Sequence, residues 1–107
     1  MAGKADARIH LEGDRLFVEG SVTYGNTVEV IRAGKESIKA SDVLVDLAGV
    51  AQVDSSAVSM LLEWTRTAQV HGRKIEFVNL PGNLADLIEL YDVGNMVPVR
   101  CPEKSVC

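Results

Sequence analysis

Hydrophobic residues run almost unbroken through Val43-Leu44-Val45-Asp46-Leu47, thin out, and return at helical intervals from Val58 onward. The block is mostly Val and Leu, the composition of a strand buried on both faces in a parallel or mixed sheet covered by helices. Asp54-Ser55-Ser56 follows where a helix has to begin, and Asp and Ser both satisfy free backbone N–H groups at an N-cap. Val58, Leu61, Leu62, Thr65 and Ala68 then recur three and four residues apart. That spacing predicts a helix from about Ser55 to Val70, with Gly72 as its C-cap. The stripe is wider than one core face needs. Met60 and Trp64, an i,i+4 pair on its flank, read either as core or as a contact for a partner protein.

The flanking segments follow the same logic. Ile9 and Leu11 alternate with polar neighbours, Leu16-Phe17-Val18 follows, and Gly13-Asp14 between them predicts a hairpin. Gly20 to Gly25 is a turn-prone connection carrying Ser21, Thr23 and Tyr24. A helix is expected from roughly Asn26 to Ala40, with Val30, Ile31, Gly34 and Ile38 on one face. Gly34 weakens its interior by about 1 kcal/mol relative to Ala and leaves room for close packing on the sheet. Ile75 and Phe77 mark another strand. Pro81 suits a helix's first turn, Leu84, Leu87, Ile88 and Tyr91 give its apolar stripe, and Gly94 closes it. Val97-Pro98-Val99 is expected as a short edge strand. The order ββαβαβαβ, with no repeat, linker or low-complexity stretch, predicts one α/β domain over residues 1–107.

Composition narrows the function. The chain of 107 residues suffices for one modest core. A formal net charge of −4 argues against nucleic acid as a partner. There is no apolar run long enough to span a membrane, and Met1-Ala2-Gly3-Lys4-Ala5-Asp6, a loose lead-in, does not resemble a signal peptide. A cytoplasmic location is therefore expected. Cys101 and Cys107 read as reduced, structurally idle thiols, and with neither His10 nor His71 near them no metal site is expected.

Catalytic motifs are absent. Ala33-Gly34-Lys35 lacks the earlier glycine and the following Ser or Thr of a P-loop. No Cys-x-x-Cys, His-Glu-x-x-His or Gly-x-Ser-x-Gly occurs, and His10 and His71 read as surface or turn residues. Asp46 and Asp54 could form an acid–base pair, but Asp54 is better explained as a cap and Asp46 as a strand-end loop residue. The expectation is a protein that is not an enzyme and needs no cofactor. Asp54-Ser55-Ser56 is compatible with a plain helix cap. It also fits a regulatory hydroxyl, because phosphate on Ser55 would sit at a helix dipole that tolerates negative charge.

The segment from Val43 through Asp54-Ser55-Ser56-Ala57 to Leu62 resembles the signature of STAS domains, in which a strand, a short loop with a D-S/T-S/A-G turn and an apolar helix follow one another. Gly72-Arg73-Lys74 and the stretch from Leu84 to Val93 extend the likeness over nearly the whole chain. The resemblance implies a mixed sheet of four to five strands covered by about three to four helices, no catalysis, and binding to a protein partner through residues 54–57. Two positions depart from the pattern. The usual glycine after the serine pair is Ala57, and Thr23 stands where anti-sigma factor antagonists carry an aspartate. In this the chain is more similar to the small STAS subunits of Mla-type phospholipid ABC transporters. The partner implied is thus a transporter ATPase, with the chain peripheral to the inner membrane; the alternative is a kinase-like anti-sigma factor, with Ser55 as the phosphorylated switch. The docking residues expected are Asp54, Ser55, Ser56, Ala57, Met60, Trp64, Thr23 and Tyr24, and a weak homodimer is a further expectation.

Overall fold

The computed structural model describes residues 7–99; the lead-in at 1–6 and both cysteines lie outside them. Strands β1 (Ala7–Glu12) and β2 (Arg15–Val22) form the expected hairpin. Its turn places Gly13 at φ +64°, the left-handed first position that a two-residue hairpin loop assigns to glycine. There follow α1 (Thr27–Ala40), β3 (Val43–Val53), α2 (Ser55–Val70), β4 (Ile75–Val78), α3 (Gly82–Leu90) and a 3-10 turn at Gly94–Met96. The sheet order is β1-β2-β3-β4, with β1 antiparallel to β2 and the pairs β2/β3 and β3/β4 parallel. The fold is therefore α/β, a mixed four-stranded sheet with three α-helices. Val97-Pro98-Val99 adds only a parallel bridge from Val99 to Phe77, whose N–H donates to the Pro98 carbonyl at 3.0 Å. Proline has no N–H with which to continue a ladder.

The core occupies one face of the sheet. Ile9 pairs with Val18, Leu16 with Val45, Val45 with Phe77 and Val43 with Ile75, and all of them pack in the cluster that takes in the buried residues of α1, α2 and α3. The parallel strands advance in one direction, so right-handed crossovers put both connecting helices on the same side. The expected burial of the central strand on both faces holds at its first residues, with Leu44 half-buried and Asp46 buried on the face without helices. On the other face Arg15, Phe17, Leu44, Asp46 and Val78 alternate with the core positions.

Asp46 is not the strand-end loop residue expected. Strand β3 continues to Val53, with an extra residue between Asp46 and Gly49 opposite Phe17 and Glu19. Asp46 is buried, and its carboxylate accepts from Arg15 Nη1 at 2.6 Å, the Ala48 N–H at 2.9 Å and Asn79 Nδ2 at 3.1 Å. Burial pushes this carboxyl upward, but those hydrogen bonds and the Arg15 charge outweigh it and hold its pKa below the ordinary range.

The helices pack on each other as well as on the sheet. Trp64 is fully buried, and its Nε1–H donates to the Ile31 carbonyl at 3.0 Å. A Cβ on Gly34 would overlap the Trp64 indole, so this glycine admits a neighbouring helix and not the sheet itself. At the far end, α3 stops at Leu90, and the left-handed position falls on Asp92 (φ +56°) instead of Gly94, which opens the 3-10 turn. Tyr91 therefore leaves the apolar stripe and stands half exposed.

Candidate docking surface

The loops that follow β2 and β3 lie side by side at the carboxyl ends of the parallel strands, where Val22 and Val53 pair. Asp54 joins them. It caps α2 with Oδ1 accepting from the Ser56 N–H at 2.8 Å, while Oδ2 accepts from the Tyr24 N–H at 3.0 Å. Burial alone would raise the Asp54 pKa, but the bonds from Tyr24 and Ser56 prevail and hold it below the usual carboxylate range. Both side-chain oxygens are thus used to fix the two loops together, which makes Asp54 a structural bracket for the surface.

Thr23 plays a similar part at the start of α1. Its carbonyl accepts the N–H groups of Asn26 and Thr27, each at 3.0 Å, together with the Thr27 hydroxyl. Its own N–H donates to Asn26 Oδ1 at 3.1 Å, and Asn26 Nδ2 reaches the Ser21 carbonyl at 2.9 Å. The loop so braced holds the Tyr24 side chain out into solvent at 84% exposure.

Along α2 the predicted residues divide into two faces. Ser55 is exposed, and its hydroxyl makes no hydrogen bond among the described residues. Ser56 is half-buried. Ala57, Met60 and Trp64 are 0% exposed. These three, with Leu61 and Ala68, share the stripe that faces the sheet and α1, so the core claims them and none can touch a visiting protein. The expectation of a docking flank at Met60 and Trp64 is corrected accordingly, as is direct contact through Ala57.

The outward ridge of α2 instead runs through Ser55 and Ser59, one helical turn apart. A groove of about 330 Å³ between α1 and α2 is lined by Val28, Ile31, Arg32 and Lys35 facing Ser59 and Glu63. A second groove of about 560 Å³ lies on the other side of the ridge, between Ser55, Ser59, Leu62, Tyr91 and Val93. Tyr24, Val28, Leu90 and Tyr91 are all at least half exposed around this surface. Sequence periodicity missed Val28, Ser59 and Tyr91. For Val28 and Ser59 the signal available was negative, since both fall off the core stripes of their helices; Tyr91 lay on the predicted stripe of α3 and joins the surface because that helix ends at Leu90. A groove of about 720 Å³ lies at the opposite end of α2 near Asp42, Gln69 and Lys74, and none of residues 54–57 lines it. Among the described residues no group of three His, Cys, Asp or Glu side chains could hold a metal ion, and no helix is long and apolar enough to cross a membrane.

The depressed carboxyls of Asp46 and Asp54 make a pH prediction. A carboxyl whose pKa is lower folded than unfolded contributes stability that is fully present above about pH 4 and is lost as pH falls through the folded value. The urea midpoint should therefore decline below about pH 4, and Asp54→Asn should flatten that decline. An acid limb unchanged by the substitution would show that Asp54 carries no such linkage.

A family model described as "Mlab, STAS domain" matches residues 5–98. The chain belongs to the STAS domain family, in its MlaB type. No curated protein matches this STAS domain. Among solved structures it is similar to MlaB in the Acinetobacter MlaFEDB complex in its ATP-bound Vtrans2 conformation, with a TM-score of 0.76, 21% identity, and coverage of 87% of this chain and 99% of that one. It is also similar to an anti-sigma factor antagonist from Mycobacterium paratuberculosis (TM-score 0.71, 14% identity, 96% and 91% covered). A third likeness is to the Bacillus cell fate determinant SpoIIAA in its phosphorylated form (TM-score 0.61, 13% identity, 92% and 95% covered). At these identities the structural likenesses establish the fold.

Proposed function

We propose that this STAS domain is a non-catalytic adaptor of the cytoplasm that docks, through the ridge at the start of α2, on the ATPase subunit of a phospholipid-transporting ABC transporter. The observation that carries the reading is the surface itself. Ser55 and Ser59 form a low polar ridge between two shallow grooves, and Tyr24, Val28 and Tyr91 stand around it. Exposed aromatics around a small-residue ridge are what an interface core uses, and they offer no acid, base or nucleophile arrangement for a reaction. The MlaB-type family match supplies the class of partner.

The test is calorimetric titration with the ABC ATPase from the same cell. Tyr24→Ala and Tyr91→Ala should each weaken binding by about 2 kcal/mol, the range of an interface hot spot, with stability nearly unchanged. Losses below a few tenths for both would remove this surface from the interface.

A second reading, an anti-sigma factor antagonist switched by phosphate on Ser55, is favoured by one observation: the Ser55 side chain is exposed on the first turn of α2, whereas Ser56 is half-buried. Mass spectrometry of the protein from its native cell separates the two. Phosphate on Ser55, together with loss of a kinase-like partner in Ser55→Asp, supports the switch; unmodified Ser55 with ATPase binding supports the adaptor.

A further inference from the structure

Strand β1 is the outer strand of the sheet on the side away from β4, and among the described residues no strand pairs with its free edge. The two-residue hairpin makes Glu12 and Arg15 a hydrogen-bonded pair, and antiparallel alternation extends this to His10 with Phe17 and Arg8 with Glu19. The backbone groups of Ala7, Ile9 and Leu11 therefore point outward. The strand's side chains have a polarity that reverses end to end: Arg8, Ile9, His10, Leu11, Glu12 reads cation, apolar, histidine, apolar, anion.

We infer that two copies of this chain pair antiparallel through their β1 edges, centred on His10, to give one continuous eight-stranded sheet. In that register Arg8 lies opposite Glu12 of the second copy, and Ile9 opposite Leu11, twice each by the two-fold symmetry. The outward backbone groups of Ile9 and Leu11 become hydrogen-bonded pairs, so the backbone alternation and the charge pattern select the same register. Leu11, 44% exposed at the edge of the helix-covered face, gains an apolar neighbour. On the open face His10 is stacked on Phe17 at 4.9 Å and lies 3.5 Å from Glu12, which keeps this row of side chains clear of the edge. Parallel pairing in register would set like charge against like. Flanking charges also guard edges against indiscriminate pairing, and here they do so while admitting one self-complementary partner. The inference stands apart from the adaptor reading, because β1 carries none of the residues of the α2 surface.

Sedimentation equilibrium of the full chain at high micromolar concentration should show a monomer–dimer equilibrium. Arg8→Glu and Glu12→Arg should each weaken it by about tenfold or more, since each places two like-charge pairs across the edge. The double swap Arg8→Glu/Glu12→Arg should restore it to within a few-fold. In a Cys101→Ser/Cys107→Ser background, His10→Cys should form a disulfide dimer under mild oxidation, because non-hydrogen-bonded partners stand about 4.5 Å apart at Cα. Arg8→Cys should not, its two copies being about 14 Å apart. A monomer at every concentration, single reversals without effect, or a double swap that fails to restore association would overturn the proposal, as would equal cross-linking at both positions.

Discussion

Trp64→Ala is expected to cost about 3–5 kcal/mol of folding stability, the range for deleting a fully buried large aromatic. Trp64 is 0% exposed at the junction of α1 and α2, so truncation opens a cavity between two helices. It also removes the side-chain donor that the Ile31 carbonyl holds at 3.0 Å beside its own helical bond. Urea unfolding followed by circular dichroism reads the effect, since the only tryptophan is gone. A loss under about 1 kcal/mol would contradict the burial described. Binding per folded molecule should change little, because Trp64 is 0% exposed and offers a visiting protein no surface of its own; a large, selective loss of affinity in a protein of intact stability would restore Trp64 to the interface.

Gly34→Ala is expected to destabilise by about 2 kcal/mol, against helix propensity, which favours Ala by about 1 kcal/mol in a helix interior. The sign is decided by space. The added methyl would overlap the indole of Trp64, a side chain enclosed on all sides and without a free direction to move. Trp64→Phe makes room, so the double variant should lose less than the sum of the two single changes. A stabilised Gly34→Ala protein, or strict additivity with Trp64→Phe, would show that the helices are not in register at this point.

These two residues also mark how far the sequence could be read. Order and type of the elements follow from apolar period and turn chemistry: the Gly13-Asp14 hairpin, the α2 bounds and the Asp54 cap are as periodicity predicts. Which face of α2 meets its neighbours does not follow, since Met60 and Trp64 lie on a stripe broad enough to serve either a core or a partner. Gly34 resolves it, because a glycine on α1 opposite an indole on α2 is a tertiary fact with no local signal. Asp46 shows a similar limit. One charge in an apolar run reads as the end of a strand, while its partners, Arg15 and Asn79, come from β2 and from the residue after β4. Ser55 was legible at a helix start, but that its side chain stands exposed while Asp54 holds the N–H groups of Ser56 and Tyr24 depends on Asp54 turning toward both loops. Val28 and Tyr91 join the surface only through the packing of α1 and α3 beside α2.

The most direct test of the docking account is amide hydrogen exchange of this STAS domain with and without the ABC ATPase of its own cell. Slowed exchange confined to the Tyr24–Val28 segment, the first two turns of α2 and the Leu90–Val93 segment is the predicted footprint. Protection at the β1 edge or on the open sheet face, with the start of α2 exchanging as in the free protein, would contradict it.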